Sequence, residues 1–180
     1  MRILVVAAVD FELEAARCLQ GGIDVTFLCA GVGSGQTVRS LEPLLETGSF
    51  DRVLDIGIAG GYGEHLPLGS VVHVTEERHS DIAPDALLRN PEPWPELSFL
   101  PSAKGNTLQT LDDRYRAIPT DVETMEGAAF FEVCLRHGVS FAEIRAVSNV
   151  VGERDHARWD IPAALSGLES ALKTLKASLL

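Results

Sequence analysis

Apolar residues fall along this chain in short runs that alternate with stretches of helical spacing. Residues 2–8 read as a buried strand, and Asp10 to Leu19 carries apolar residues at helical spacing behind an acidic first turn. The unit recurs. Val25 to Ala30 forms a second apolar run, which ends in Gly31-Val-Gly-Ser-Gly35 and leads into a helical pattern with Val38, Leu41, Leu44 and Leu45. A third run, Arg52 to Ile58, ends in Gly57-Ile-Ala-Gly-Gly61, and Ser70 to Thr75 supplies another β-rich stretch. His79 to Pro101 turns to Pro, Asp, Asn and Trp with little period, which predicts an irregular loop or lid. Met125 to His137 predicts an amphipathic helix closed by Gly138, followed by a strand from Phe141 to Val147, a polar loop from Ser148 to Arg158 and a last helix at about 160–179.

Strands alternating with helices predict one α/β domain over residues 1–180, a three-layer α/β/α sandwich around a mixed, largely parallel twisted sheet. In such folds ligands bind at the carboxyl ends of the strands. Asp10/Glu12, the two glycine-rich segments and Ser148-Asn149 all fall at predicted strand ends, and Glu123/Glu126 open a helix whose N-terminus can face the same cleft.

Composition narrows the partners. A length of 180 residues with 46% hydrophobic content fits one compact core, and no apolar stretch approaches the ~20 residues of a membrane span. The N-terminus has no leader-like pattern, so a cytoplasmic location is expected. A net charge of -11 argues against nucleic acid and anionic membranes as partners, because both demand a basic surface. Cys18, Cys29 and Cys134 form no paired motif and read as reduced, buried thiols, while the five scattered histidines offer no metal site. No cofactor is expected.

Gly31-x-Gly33-x-Gly35 invites comparison with a dinucleotide-binding turn, but Gln36 breaks the full spacing and no acid stands ready for a ribose at the end of the next strand. A tight turn and a small-ligand cradle shared with Gly57–Gly61 remain open. Glu12, Glu123 and Glu126 have a plain alternative role as acids favoured in first helical turns.

Several motifs together carry a resemblance: Asp10-Phe-Glu12, Ala30-Gly-Val-Gly33, Gly57-Ile-Ala-Gly-Gly61, Val122-Glu-Thr-Met-Glu-Gly-Ala-Ala129 and Ile144-Arg-Ala-Val-Ser-Asn149. In this order the chain resembles the methylthioadenosine/adenosylhomocysteine nucleosidases of the nucleoside phosphorylase superfamily. Its tail, Ser148 to Asp155 with Trp159-x-Ile161, resembles the futalosine hydrolase branch. The resemblance implies hydrolysis of a purine N-glycosidic bond by a homo-oligomer without cofactor. It assigns Glu12 to the attacking water, Glu126 to the ribose hydroxyls, and Met125, Gly31, Gly33 and Gly60 to substrate contact; Glu123 matches a further acidic position, offset by Thr124. Asn149 stands where the adenine-releasing enzymes carry an Asp. An amide donates a hydrogen bond but no proton, which favours hypoxanthine as the leaving base.

Asp155 is a candidate substitute for the missing acid, with a loop-stabilising pair to Arg154 as the alternative. Arg78, Arg154 and Arg158 are candidate partners for a carboxylate at the 5′ end of the substrate, and Trp94 and Trp159 for its aryl group or base. Gly105-Asn106-Thr107 is the expected base-facing strand. A phosphorylase would place arginines near Asp10-Phe-Glu12, where acids repel phosphate. A nucleoside-binding module without catalysis needs the glycines and Glu126 but has no use for Glu12.

Overall fold

The computed structural model describes residues 1–63, 65–109, 120–153 and 155–180. Its first half follows the expected strand–helix alternation. Strand β1 (Arg2–Ala7) leads to α1 (Asp10–Ala16), β2 (Asp24–Cys29) to α2 (Ser34–Thr47), and β3 (Arg52–Gly61) to β4 (Val71–His79). The remaining elements are β5 (Ala83–Arg89), β6 (Ser102–Thr107), β7 (Val122–Thr124), α3 (Gly127–His137), β8 (Ser140–Val150) and α4 (Ile161–Leu179). Gly138 ends α3 in the left-handed region at φ 62°, which glycine adopts without Cβ strain. Asp160 starts α4 by accepting the Ala163 N–H.

Eight strands form one mixed sheet with helices on both faces. Parallel pairing joins β2 to β1, β1 to β3, β3 to β8, β4 to β6 and β6 to β7, while β3–β7, β4–β5 and β4–β8 are antiparallel. These pairings close a ring. From β3 the path runs through β8, β4, β6 and β7 and returns to β3 at Gly60 and Gly61. Closure leaves those five strands without a bare edge at the ring and gathers one end of each around a common space. Helices α1 and α4 bury Ala15, Ala16, Leu168, Leu172 and Leu175 against one face; Leu41 of α2 and Phe130, Phe131 and Cys134 of α3 pack on the other. Among the described residues no helix is long and apolar enough to cross a membrane.

Three expectations are corrected. Gly57–Gly61 is no turn but the continuation of β3, because Gly60 and Gly61 are held by strands on both sides. The stretch after His79 is no plain loop: Arg78 to Arg89 is a bulged antiparallel hairpin, and Trp94 and Leu97 are buried in the core. Trp94 donates to Ser140 Oγ at 3.0 Å and packs under Arg52, so it has a structural place and no ligand to meet. Cys29 is exposed; Cys134 is buried, and all three cysteines are free.

The ring encloses charge. A bulge between Val74 and Glu76 turns Glu77 onto the face that α3 covers, where Asp55, Glu143 and Arg145 also point. All four are buried. Arg145 pairs with Asp55 through Nη2 and with Glu143 through Nε at 2.6 Å. Glu77 lies behind them, its Oε2 accepting from Thr107 Oγ1 at 2.9 Å and from the Arg78 N–H at 3.2 Å. Gly105 and Gly127 make room for it, since a Cβ on either would collide with the Glu77 carboxyl. One guanidinium cannot balance three buried carboxylates. Burial and the charge of Glu143 accordingly push Glu77 well above the ordinary carboxylate range.

A raised carboxyl binds its proton more tightly folded than unfolded, so its contribution to stability is full below its unfolded value of 4.5 and is lost as pH rises through the folded value. Glu77→Gln removes that loss. Thermal unfolding of the variant should match the wild type near pH 4.5 and give a higher Tm at pH 8, a flatter pH dependence that a fixed-charge role for Glu77 would not produce.

Candidate active site

Where β1 and β3 end, α1 begins, and its first turn carries Glu12 into a cavity of about 430 Å³. Val9 precedes α1 in extended backbone, which lets its N–H reach Glu12 Oε2 at 3.3 Å. Ile58 N–H donates to Oε1 at 2.9 Å. These two bonds fix a carboxylate that is only 4% exposed. Burial raises its pKa above the ordinary range, while the Ile58 N–H and the nearby Arg145 charge oppose the rise. Arg145 approaches over Gly57: a Cβ there would collide with the guanidinium and lie 2.8 Å from Glu12 Oε1.

Glu126 enters the same cavity from the start of α3. Its Oε1 accepts the Gly33 N–H at 2.7 Å and its Oε2 the Met125 N–H at 3.2 Å. Gly33 adopts φ 93° at the start of α2, so the glycine presents a helix N-terminus to a carboxylate. The corner before Glu126 is tied down too, with the Met125 carbonyl accepting from Ser34 Oγ at 3.2 Å and Gln109 Nε2 at 3.1 Å. Met125 lines the cavity above it.

Another part of the cavity lining is built on Gly60, whose register partners are Asn149 on β8 and Glu123 on β7. All three line the cavity. Ser148 Oγ donates to Asn149 Oδ1 at 2.8 Å, and Asn149 Nδ2 donates to the Val150 carbonyl at 3.2 Å. Tyr62 Oη donates to Glu123 Oε2 at 2.6 Å. Trp159 closes one side, its indole N–H on the Glu153 carbonyl at 3.1 Å and its ring 4.3 Å from that of His156.

Of the residues singled out in the sequence, Glu12, Glu123, Met125, Glu126, Gly60 and Asn149 come together here. Gly33 acts from behind Glu126. Gly31 does not line the cavity; at φ 89° it shapes the turn, its N–H on the Ala8 carbonyl. Asp155 is a correction: it is exposed and accepts the Ala157 N–H at 3.0 Å, capping a short turn outside the cavity. Arg158 is likewise exposed and paired with Glu153 at 2.8 Å, Arg78 lies on β4 outside the cavity lining, and Arg154 lies outside the described residues. Gly105–Thr107 is buried in β6 outside the cavity lining and reaches the site through Asn106 and Tyr62 and through Thr107 on Thr124. Arg145 is not among the residues singled out from sequence, although its signal is a charge within an apolar strand, two residues from Glu143 and so on the same face. No group of His, Cys, Asp or Glu among the described residues is arranged to hold a metal ion.

The fold and the cavity define a mixed α/β enzyme-like structure with Glu12, Glu123 and Glu126 converging on one ligand space. Residues 98–180 match the family described as the phosphorylase superfamily. The chain is similar to a futalosine hydrolase of Acidothermus cellulolyticus, 32% identical over 84% of this chain and 75% of that one. It is also similar to a 5′-methylthioadenosine/S-adenosylhomocysteine nucleosidase of Bacillus subtilis, 30% identical over 86% and 82%. Among solved structures, the corresponding nucleosidase of Colwellia psychrerythraea in complex with adenine shares the fold at TM-score 0.86, with 19% identity over 99% of this chain and 96% of that one. The chain belongs to the nucleosidase family of the phosphorylase superfamily, with relatives among both futalosine hydrolases and methylthioadenosine/adenosylhomocysteine nucleosidases.

Gly57→Ala tests the geometry at the centre of the site. The added methyl displaces Arg145 or Glu12, and urea unfolding should show a loss of about 1–3 kcal/mol, the usual cost of overpacking; an unchanged midpoint would mean that the guanidinium does not cross Gly57.

Proposed function

We propose that this chain hydrolyses the N-glycosidic bond of futalosine and releases hypoxanthine, working in the cytoplasm as a homo-oligomer. The observation that carries this reading is the placement of a buried, backbone-tethered Glu12 and the Gly33-bound Glu126 in one cavity that also holds an amide, Asn149, in place of an acid.

Breaking the bond builds positive charge on the sugar, and the Glu12 and Glu126 carboxylates favour that charge in the transition state. Glu12 accepts the proton of the attacking water; its elevated pKa makes it a stronger base than an exposed glutamate. Glu126 accepts from the ribose hydroxyls, with its orientation fixed by Gly33. Asn149 has its carbonyl oxygen occupied by Ser148 and one N–H on Val150, which leaves its second N–H for the leaving base. Hypoxanthine spreads departing charge onto O6 and N7, where such a donor helps; adenine, released by the methylthioadenosine enzymes, gains more from an acid. Phosphate would meet the Glu12 and Glu126 carboxylates, while the nearby Arg145 is already paired with Asp55 and Glu143, so water is the acceptor.

The free thiols suit a reducing compartment. Phe11 and Val32, 44% and 53% exposed, form an apolar rim at the cavity mouth that a second copy would cover.

Product chromatography after incubation with futalosine, inosine and methylthioadenosine, with and without phosphate, should show hypoxanthine from futalosine independent of phosphate; adenine as the main product would transfer the chain to the other branch. Glu12→Gln should lower kcat by about 10²–10⁴-fold, the range of general-base catalysis, with substrate binding retained. A variant that turned over at the wild-type rate would leave only a binding module. Because the base form of Glu12 is lost as pH falls through a raised pKa, the acid limb of the kcat profile should have its midpoint above pH 4.5.

A further inference from the structure

Behind Glu123 in the cavity lining runs a hydrogen-bond chain that the cleavage chemistry does not use. Ser80 Oγ donates to Asn106 Oδ1, Asn106 Nδ2 donates to Tyr62 Oη at 3.0 Å, and Tyr62 Oη donates to Glu123 Oε2 at 2.6 Å. Ser80 and Asn106 are fully buried. The direction of the chain is set from its carboxylate end: Glu123 only accepts, so the phenolic proton goes to it, Tyr62 Oη accepts from the Asn106 amide nitrogen, and Asn106 Oδ1 is left to accept from Ser80. Burial and the Glu123 carboxylate both raise the Tyr62 pKa, so the phenol keeps its proton. Glu123 therefore arrives at the cavity with one oxygen committed and the other free as an acceptor.

Across Gly60 stands Asn149, with one N–H free as a donor. The two side chains rise from strands on either side of β3, about 10 Å apart at two strand spacings. Gly60 contributes no side chain between them; a Cβ there would lie 3.0 Å from Val151 Cγ2 and 3.4 Å from Asn149 Nδ2. The result is a site with a donor on one side, an anionic acceptor on the other and the glycine backbone, flanked by Val151, between them.

We propose that Glu123, held by Tyr62, reads the N1–H of a 6-oxopurine whose O6 or N7 meets Asn149, and thereby sets the preference for hypoxanthine over adenine. This rests on the reading of the cavity as a purine nucleoside site. With Asn149 on the O6/N7 edge, the Glu123 carboxylate is placed at N1. In hypoxanthine N1 carries a proton and donates. In adenine N1 is a lone pair, and a carboxylate facing it leaves two acceptors opposed with water excluded. Glutamine at this position turns either its oxygen or its nitrogen inward and loses the distinction.

The test is calorimetric titration of wild type, Glu123→Gln and Tyr62→Phe with free hypoxanthine and free adenine, together with kcat/KM for futalosine and methylthioadenosine. Wild type should bind hypoxanthine at least about tenfold more tightly than adenine, a modest share of what a site built around one hydrogen bond can discriminate. Glu123→Gln should bring the two bases within about threefold, and kcat/KM for futalosine should fall while that for methylthioadenosine holds or rises. Tyr62→Phe should move the preference in the same direction by less, and it serves as the test if Glu123→Gln does not fold. An unchanged preference, or an equal loss for both bases, overturns the proposal and leaves Glu123 a structural residue. The free-base titration separates this inference from the reading beneath it. A Glu123-dependent preference in a protein that cleaves no futalosine keeps the site and discards the substrate; futalosine cleavage with the preference intact in Glu123→Gln does the reverse.

Discussion

A single buried guanidinium organises this molecule. Arg145 sits at 1% exposure in the middle of β8, a place where an unpaired charge would be prohibitive, and it is tolerated because Asp55 on β3 and Glu143 on its own strand hold it from two directions. The requirement spreads outward. Gly57 must lack a side chain for the guanidinium to cross β3, Gly105 and Gly127 must lack one for Glu77 to stand behind it, and the bulge in β4 must turn Glu77 inward. The closed ring of strands is the form that lets elements distant in sequence meet around this charge.

The same constraint explains what was legible in the sequence. Strands β1 and β2 and helices α2, α3 and α4 announce themselves because their apolar residues face a core of apolar partners, and the pattern keeps the period of the element. Strand β6 reads Ser-Ala-Lys-Gly-Asn-Thr and has no such pattern, since Gly105, Asn106 and Thr107 face buried polar groups. Strand β7 has three residues, too few to show a period, and β5 carries Pro84 and Asp85 at its start. Ring closure depends on Gly60 and Gly61 meeting Val122 and Glu123, a pairing that no local signal encodes. The glycines of β3 suggested a turn because glycine usually ends a strand. Here they admit Arg145 and two neighbouring strands.

For the site, the residues recovered from sequence are those embedded in long motifs: Glu12 after β1, Met125-Glu126 before α3, and Asn149 at the end of β8. Residues that act through others escaped. Tyr62, Ser34 and Gln109 touch the cavity machinery from outside, and nothing in their sequence neighbourhood distinguishes them from ordinary polar residues. Asp155 was misplaced for a local reason: an Asp two residues before a free backbone N–H caps that N–H more readily than it reaches across a cavity.

The asymmetry of the charged cluster matters for the chemistry. A guanidinium bonded directly to Glu12 would lower its pKa and weaken it as a base. Asp55 and Glu143 take Nη2 and Nε of Arg145, so Glu12 feels the positive charge without a direct bond while its oxygens rest on the Val9 and Ile58 amides. Burial then outweighs that charge, and the carboxylate keeps an elevated affinity for a proton. The amide bonds secure its position without supplying a competing full charge. A base that is fixed, buried and only partly compensated is what the removal of a proton from water beside a developing cation requires, and the distribution of three acids around one arginine is what leaves Glu12 in that state.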